Sequence, residues 1–84
     1  MIAIHVNAGN DTNGNPRRLF VVFDDAGKMA NYVPDARVMA VVSEGYRGSA
    51  ALRDEYPDVP VAEIRLDITP KQYRELLRLG REIK

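Results

Sequence analysis

The chain contains no cysteine and a single histidine, His5, among its 84 residues. Without cysteine no disulfide framework can form. With one histidine, neither a Cys/His zinc site nor a His-assisted thiol nucleophile has its second member. An excess of charge of one sign is lacking too. Twelve basic and twelve acidic side chains cancel, which argues against a domain held on nucleic acid by net charge alone. Long apolar runs are missing as well. Met1-Ile2-Ala3-Ile4-His5-Val6 has no basic leader and is far too short for a signal peptide or a membrane span, so the expectation is a cytoplasmic protein with no membrane attachment.

What is present is ordinary for a soluble globular domain: 45% apolar and 29% charged residues. A chain of this length is expected to form one domain, residues 1–84, and to bury a little over about 60% of its unfolded surface. The core is then modest and is stabilised by packing or by a partner. Charge is unevenly spread. Lys71, Arg74, Arg78, Arg81 and Lys84 face only Glu75 and Glu82 from Pro70 onwards, whereas Asp24 to Asp67 holds nine acids against five bases.

Hydrophobic period assigns the elements. Ile2, Ile4 and Val6 alternate with Ala3, His5 and Asn7, as in a strand with one apolar side. Gly9-Asn10-Asp11-Thr12-Asn13-Gly14-Asn15-Pro16 is a loop, with Asn13-Gly14 as its tight turn. Arg18 to Asp24 is apolar on both faces, so the strand is central, with helices over one side and loops or a partner sheltering the other. Asp24-Asp25-Ala26-Gly27-Lys28 signals a turn. Lys28 to Ala36 reads equally as strand or as irregular loop. Arg37 to Ser43 is a third strand by its branched residues, with a helix starting at Asp35 as the competing reading.

Ser49 is placed to cap a short helix through Glu55, which Tyr56-Pro57 ends. Val59 to Ile68 is the fourth strand. It runs into Thr69-Pro70, a cap followed by a proline where the missing N–H costs nothing. The last helix then buries Tyr73, Leu76, Leu77, Gly80 and Ile83. The expected fold is α+β, in the order β-β-β-α-β-α, a small mostly antiparallel sheet with two helices on one face.

Three places attract functional readings. The loop Asn10 to Arg18 offers backbone N–H groups and the paired guanidinium groups of Arg17 and Arg18 to an anion, although it lacks the Gly-Lys-Ser/Thr ending of a phosphate loop. Lys71, Arg74, Arg78 and Arg81 follow three- and four-residue steps along the last helix, a stripe suited to a nucleic-acid backbone or to plain solvation. Glu44-Gly45-Tyr46-Arg47-Gly48 mixes acid, phenol, base and two glycines as binding loops do, and Tyr46 and Arg47 are its most telling positions. His5 stands alone and reads as a sheet-face residue. Asp24-Asp25 and Asp54-Glu55 fit a turn and a helix end better than a metal cage. No cofactor or metal is implied.

Asn13-Gly14-Asn15-Pro16-Arg17-Arg18, Glu44-Gly45-Tyr46-Arg47-Gly48, Leu52-Arg53, Tyr56-Pro57 and Thr69-Pro70-Lys71-Gln72-Tyr73-Arg74-Glu75 together resemble a pattern in small uncharacterised proteins of bacterial and phage genomes. The resemblance implies an accessory protein of a mobile element and supplies no site residues. The functional expectation is a non-enzymatic interaction module acting on a protein partner or as a homodimer, motivated by strands too apolar for a sheet with one bare face. The alternative is a weak nucleic-acid binder using the last helix with Arg17 and Arg18.

Overall fold

A computed structural model describes residues 1–25, 37–44 and 48–83. The stretch Lys28 to Ala36, where strand and loop compete, lies outside the described residues, as do Tyr46 and Arg47. Among the described residues the elements run β1 (Ile2–Asn10), β2 (Pro16–Phe23), β3 (Val38–Ser43), α1 (Gly48–Glu55), β4 (Val61–Asp67), α2 (Pro70–Leu79) and β5 (Arg81–Glu82). Residues 38–43 are a strand, so the competing helix does not form there. Neither described helix is long and apolar enough to cross a membrane.

The five described strands form one sheet in the order β4-β1-β2-β3-β5. The hairpin partners β1 and β2, and then β2 and β3, are antiparallel. Strand β4 lies parallel to β1, and β5 parallel to β3. The sheet is therefore mixed rather than mostly antiparallel. A helix inserted between two strands carries the chain back to the end where it started, so each strand that follows a helix runs parallel to its neighbour.

The expectation of two helices on one face is also corrected. Successive strand residues point to opposite faces, and the core splits along that alternation. Ile4, Val6, Leu19, Val21, Phe23 and Val41 pack with Leu76 of α2. Ala3, Phe20, Val22, Ala40 and Val42 pack with Leu52 of α1. One helix covers each face. The run Leu19 to Phe23, buried throughout, is apolar on both sides because both sides are covered from within the chain. The crossovers explain the placement. The chain moves along the sheet in one direction from β3 to β4 and returns in the other from β4 to β5, and two such crossovers of one hand lie on opposite faces.

Helix α2 starts where the sequence indicates. The Thr69 hydroxyl accepts from the Gln72 backbone N–H at 3.1 Å, while the Gln72 side chain accepts from the Thr69 N–H at 2.9 Å, a reciprocal capping box with Pro70 in the first turn. It ends sooner than the apolar spacing suggests. Gly80 caps it in an extended conformation, with its N–H donating to the Leu76 carbonyl. Arg81 and Glu82 then join β3 as a short parallel strand. Ile83 is buried, but in the cluster on the α1 face, on the other side of the sheet from Leu76. Leu77 keeps 36% of its surface exposed. The buried stripe of the helix thus centres on Leu76, with Tyr73 packed against the core beside it.

Candidate functional site

On its face of the sheet helix α1 packs with Ala3 of β1, Phe20 and Val22 of β2 and Ala40 and Val42 of β3, and His5, Asn7, Arg65 and Asp67 follow on the same face toward the carboxyl ends of β1 and β4. A concavity of about 190 Å³ lies there, lined by His5, Val6, Asn7, Arg18, Glu44, Arg65 and Asp67. Pairing register brings these residues together. Arg65 of β4 stands opposite His5, and Asp67 opposite Asn7. On the other side of β1, Arg18 stands opposite Asn7 and Phe20 opposite His5. Glu44 follows the end of β3, held by its N–H donating to the Arg18 carbonyl at 3.0 Å. The site therefore lies toward the carboxyl ends of β1, β3 and β4 and the amino end of β2.

His5 is its inner wall. The imidazole packs on Phe20 with ring centroids 4.4 Å apart and planes inclined by 55°. Its Nδ1 lies 3.3 Å from Glu44 Oε2. That contact is out of line for a hydrogen bond, and the Nδ1 atom is shielded from solvent without a hydrogen-bond partner. It becomes an ion pair only when the imidazole is protonated. Among the described residues, none of those lining the concavity carries a hydroxyl or thiol. Neither Arg18 nor Arg65 makes a side-chain hydrogen bond or ion pair with any described residue.

The other arginines singled out by sequence behave differently. Arg17 turns back along the hairpin, donating from Nη1 to the Ala8 carbonyl at 3.0 Å. The β1–β2 loop carries its own anion. Asp11 Oδ1 accepts from the N–H groups of Asn13 at 2.8 Å and Asn15 at 2.9 Å, and the Gly14 N–H donates to the Asp11 carbonyl. Gly14 takes φ +82°, and Gly9, at the bulge where β1 leaves register, takes φ +73°, both left-handed values that favour glycine. Of the loop N–H groups that could face an external phosphate, those of Asn13 and Asn15 are taken by the Asp11 carboxylate and that of Gly14 by the Asp11 carbonyl.

Those bonds hold the Asp11 carboxyl below the usual carboxylate range. The Asn15 N–H is the leading cause, with smaller contributions from the Asn13 N–H and Arg17 against a desolvation effect of opposite sign. A carboxyl whose pKa is lower folded than unfolded adds stability above its unfolded pKa of about 3.9 and loses it as pH falls through the folded value. Asp11→Ala is therefore expected to lower the melting temperature at neutral pH and to converge with the parent protein in strong acid. Thermal melts of both proteins from neutral pH to pH 2 check this. A gap that persists at the acid end would contradict the role given to the charge.

Arg74 and Arg78 lie exposed on α2 with Lys71. Arg81 is not in that stripe. It belongs to β5, and its Nη2 donates to Glu55 Oε2 at 2.9 Å and approaches the Tyr56 hydroxyl at 3.5 Å. Arg18 lines the α1 face whereas α2 covers the other, so the two basic sets do not form one surface. Tyr46 and Arg47 follow Glu44 and Gly45 in the chain but lie outside the described residues. Of the four positions named from sequence that are among the described residues, Arg17, Arg18, Arg74 and Arg78, Arg18 alone lines the concavity. His5, Asn7, Arg65 and Asp67 were not anticipated there. The alternation Glu63-Ile64-Arg65-Leu66-Asp67 does place Arg65 and Asp67 on one face, yet nothing in it reveals β1 as the neighbour. Among the described residues no three His, Cys, Asp or Glu side chains are grouped to hold a metal ion. Comparison with protein-family models, with curated proteins and with solved structures gives no match.

Proposed function

We propose that the protein is a non-enzymatic interaction module whose contact surface is the open polar part of the α1 face. The observation that carries this reading is the pair Arg18 and Arg65, two guanidinium groups without a described partner that line one concavity. Charged side chains held unpaired at a concave surface are suited to pairing with an incoming partner, where they add specificity and speed encounter. The earlier motive, an apolar sheet face left bare, no longer applies, because each face carries a helix. The partner is a protein or a second copy of the chain, met through charge rather than through an apolar patch.

The nucleic-acid alternative rests on Lys71, Arg74 and Arg78 alone, since Arg17 is tied to Ala8 and Arg18 belongs to the opposite face. Two charge reversals separate the readings. Arg18→Glu with Arg65→Glu is expected to abolish self-association seen by light scattering, or capture of partners from native host extract, while Arg74→Glu with Arg78→Glu leaves both intact. Circular dichroism would confirm that both variants fold. If the first pair changes neither capture nor oligomeric state, the contact surface is elsewhere. Salt-sensitive DNA or RNA binding that only the second pair removes would favour the alternative.

A further inference from the structure

We infer that the concavity at the carboxyl ends of β1, β3 and β4 is a binding site for a small zwitterion bearing a carboxylate and an ammonium group, the free α-amino acid class. The inference rests on the proposed contact surface only for its location. Its chemistry comes from the layout of charge. Two rows cross the sheet: Arg65, His5 and Phe20 in one, and Asp67, Asn7 and Arg18 in the next. Glu44 closes the rim above His5.

The lining therefore carries two arginines and two carboxylates, which cancel while His5 is neutral. Each side of β1 supplies one of each sign, Arg65 with Asp67 on β4, and Arg18 on β2 with Glu44 after β3. A bare anion would be drawn to the guanidinium groups but would meet Glu44 and Asp67. A bare cation would meet the converse. A ligand with both charges a few bonds apart satisfies both signs at once, and a carboxylate is the group a guanidinium binds with two parallel hydrogen bonds. Arg18 and Arg65 are free to do so, having no described partner.

Size points the same way. About 190 Å³ is below the roughly 300–1,000 Å³ of drug-sized pockets and equals about six water molecules at ~30 Å³ each.

The test is titration of the isotopically labelled full chain, followed by amide NMR. Glycine, alanine and lysine would be compared with acetate, methylammonium and inorganic phosphate. The expected result is saturable shifts at His5, Asn7 and Arg65 with the amino acids, and affinity at least tenfold weaker for acetate and for methylammonium alone. Arg65→Ala and Asp67→Asn should each weaken glycine tenfold or more with the rest of the spectrum unchanged. No saturable shift with any amino acid would overturn the inference, as would acetate or phosphate binding as tightly as glycine. The outcome is independent of the partner experiments. Charge reversal at Arg18 and Arg65 that releases a protein partner, with no amino acid bound, would leave the contact surface standing and remove only the zwitterion site.

Discussion

Leu52→Ala and Leu76→Ala are each expected to lower the unfolding free energy by about 2–5 kcal/mol, the range for emptying a buried leucine site. For a domain of this size each kcal/mol lowers the melting temperature by about 4–8 °C. Both side chains are almost wholly buried, at 2% and 1% exposure, and each anchors its helix on its own face of the sheet. Leu77→Ala, one residue along α2 and 36% exposed, is expected to cost under about 1 kcal/mol. The contrast fixes the rotational phase of the helix.

The Leu52 variant also tests the two-faced architecture. If α1 did not cover the second face, its truncation would resemble that of a surface residue. Since the two leucines share no packing partners across the sheet, smaller truncations to valine should add within about 0.5 kcal/mol in the double variant. Urea melts of the two single variants and the double would show it. Clear non-additivity, or a Leu52→Ala cost near zero, would remove the layer arrangement described above.

What was legible in the sequence was local. The alternation of Ile2, Ile4 and Val6, the breakers between Gly9 and Pro16, the branched run after Arg37 and the Thr69-Pro70 start of α2 each report a backbone preference within a few residues. Gln72 completes the Thr69 cap and was there to be read, three residues on, in the order a capping box requires. The end of α2 was misread because Ile83 continues the 3.6-residue spacing past Gly80. Gly80 is extended rather than left-handed, and the helix ends because the chain turns onto β3 there, in a place where a Cβ would run into Val41 and Val38.

Strand order was not legible. No local pattern states that β4 lies beside β1 or that β5 lies beside β3, and without that order the crossover rule cannot assign the helices to faces. The apolar character of Leu19 to Phe23 did carry the information that both faces are covered. With both helices allotted to one face, the sequence reading leaves the other to loops or a partner. The candidate site suffered from the same gap. His5, Asn7, Arg18, Glu44, Arg65 and Asp67 come from four separate stretches of chain, and only the β1–β4 register turns a solitary histidine and two scattered arginines into one concavity.

Gly48→Ala is expected to destabilise the protein by about 1–3 kcal/mol, the range for overpacking a filled site. Composition alone gives the opposite sign, because alanine is favoured over glycine in a helix by up to about 1 kcal/mol. The reversal comes from where α1 begins. Gly48 is buried at the first position of the helix, and a Cβ there would run into the carbonyl oxygen of Ser43, a backbone atom at the end of β3, with the Ser43 carbonyl carbon at 3.3 Å and Phe20 Cε2 at 3.7 Å. A backbone carbonyl in a paired strand cannot swing aside as a side chain tip can, so either β3 or the start of α1 must shift. Gly80 offers a milder parallel, since its Cβ would meet the Cγ1 atoms of Val41 and Val38 at 2.9 and 3.0 Å. Valine is stiff about its first side-chain torsion, which leaves Gly80→Ala destabilising as well, though by less than Gly48→Ala. Denaturant melts of the two variants settle the signs. A stabilised Gly48→Ala protein would show that helix preference outweighs the contact and that α1 does not start against β3.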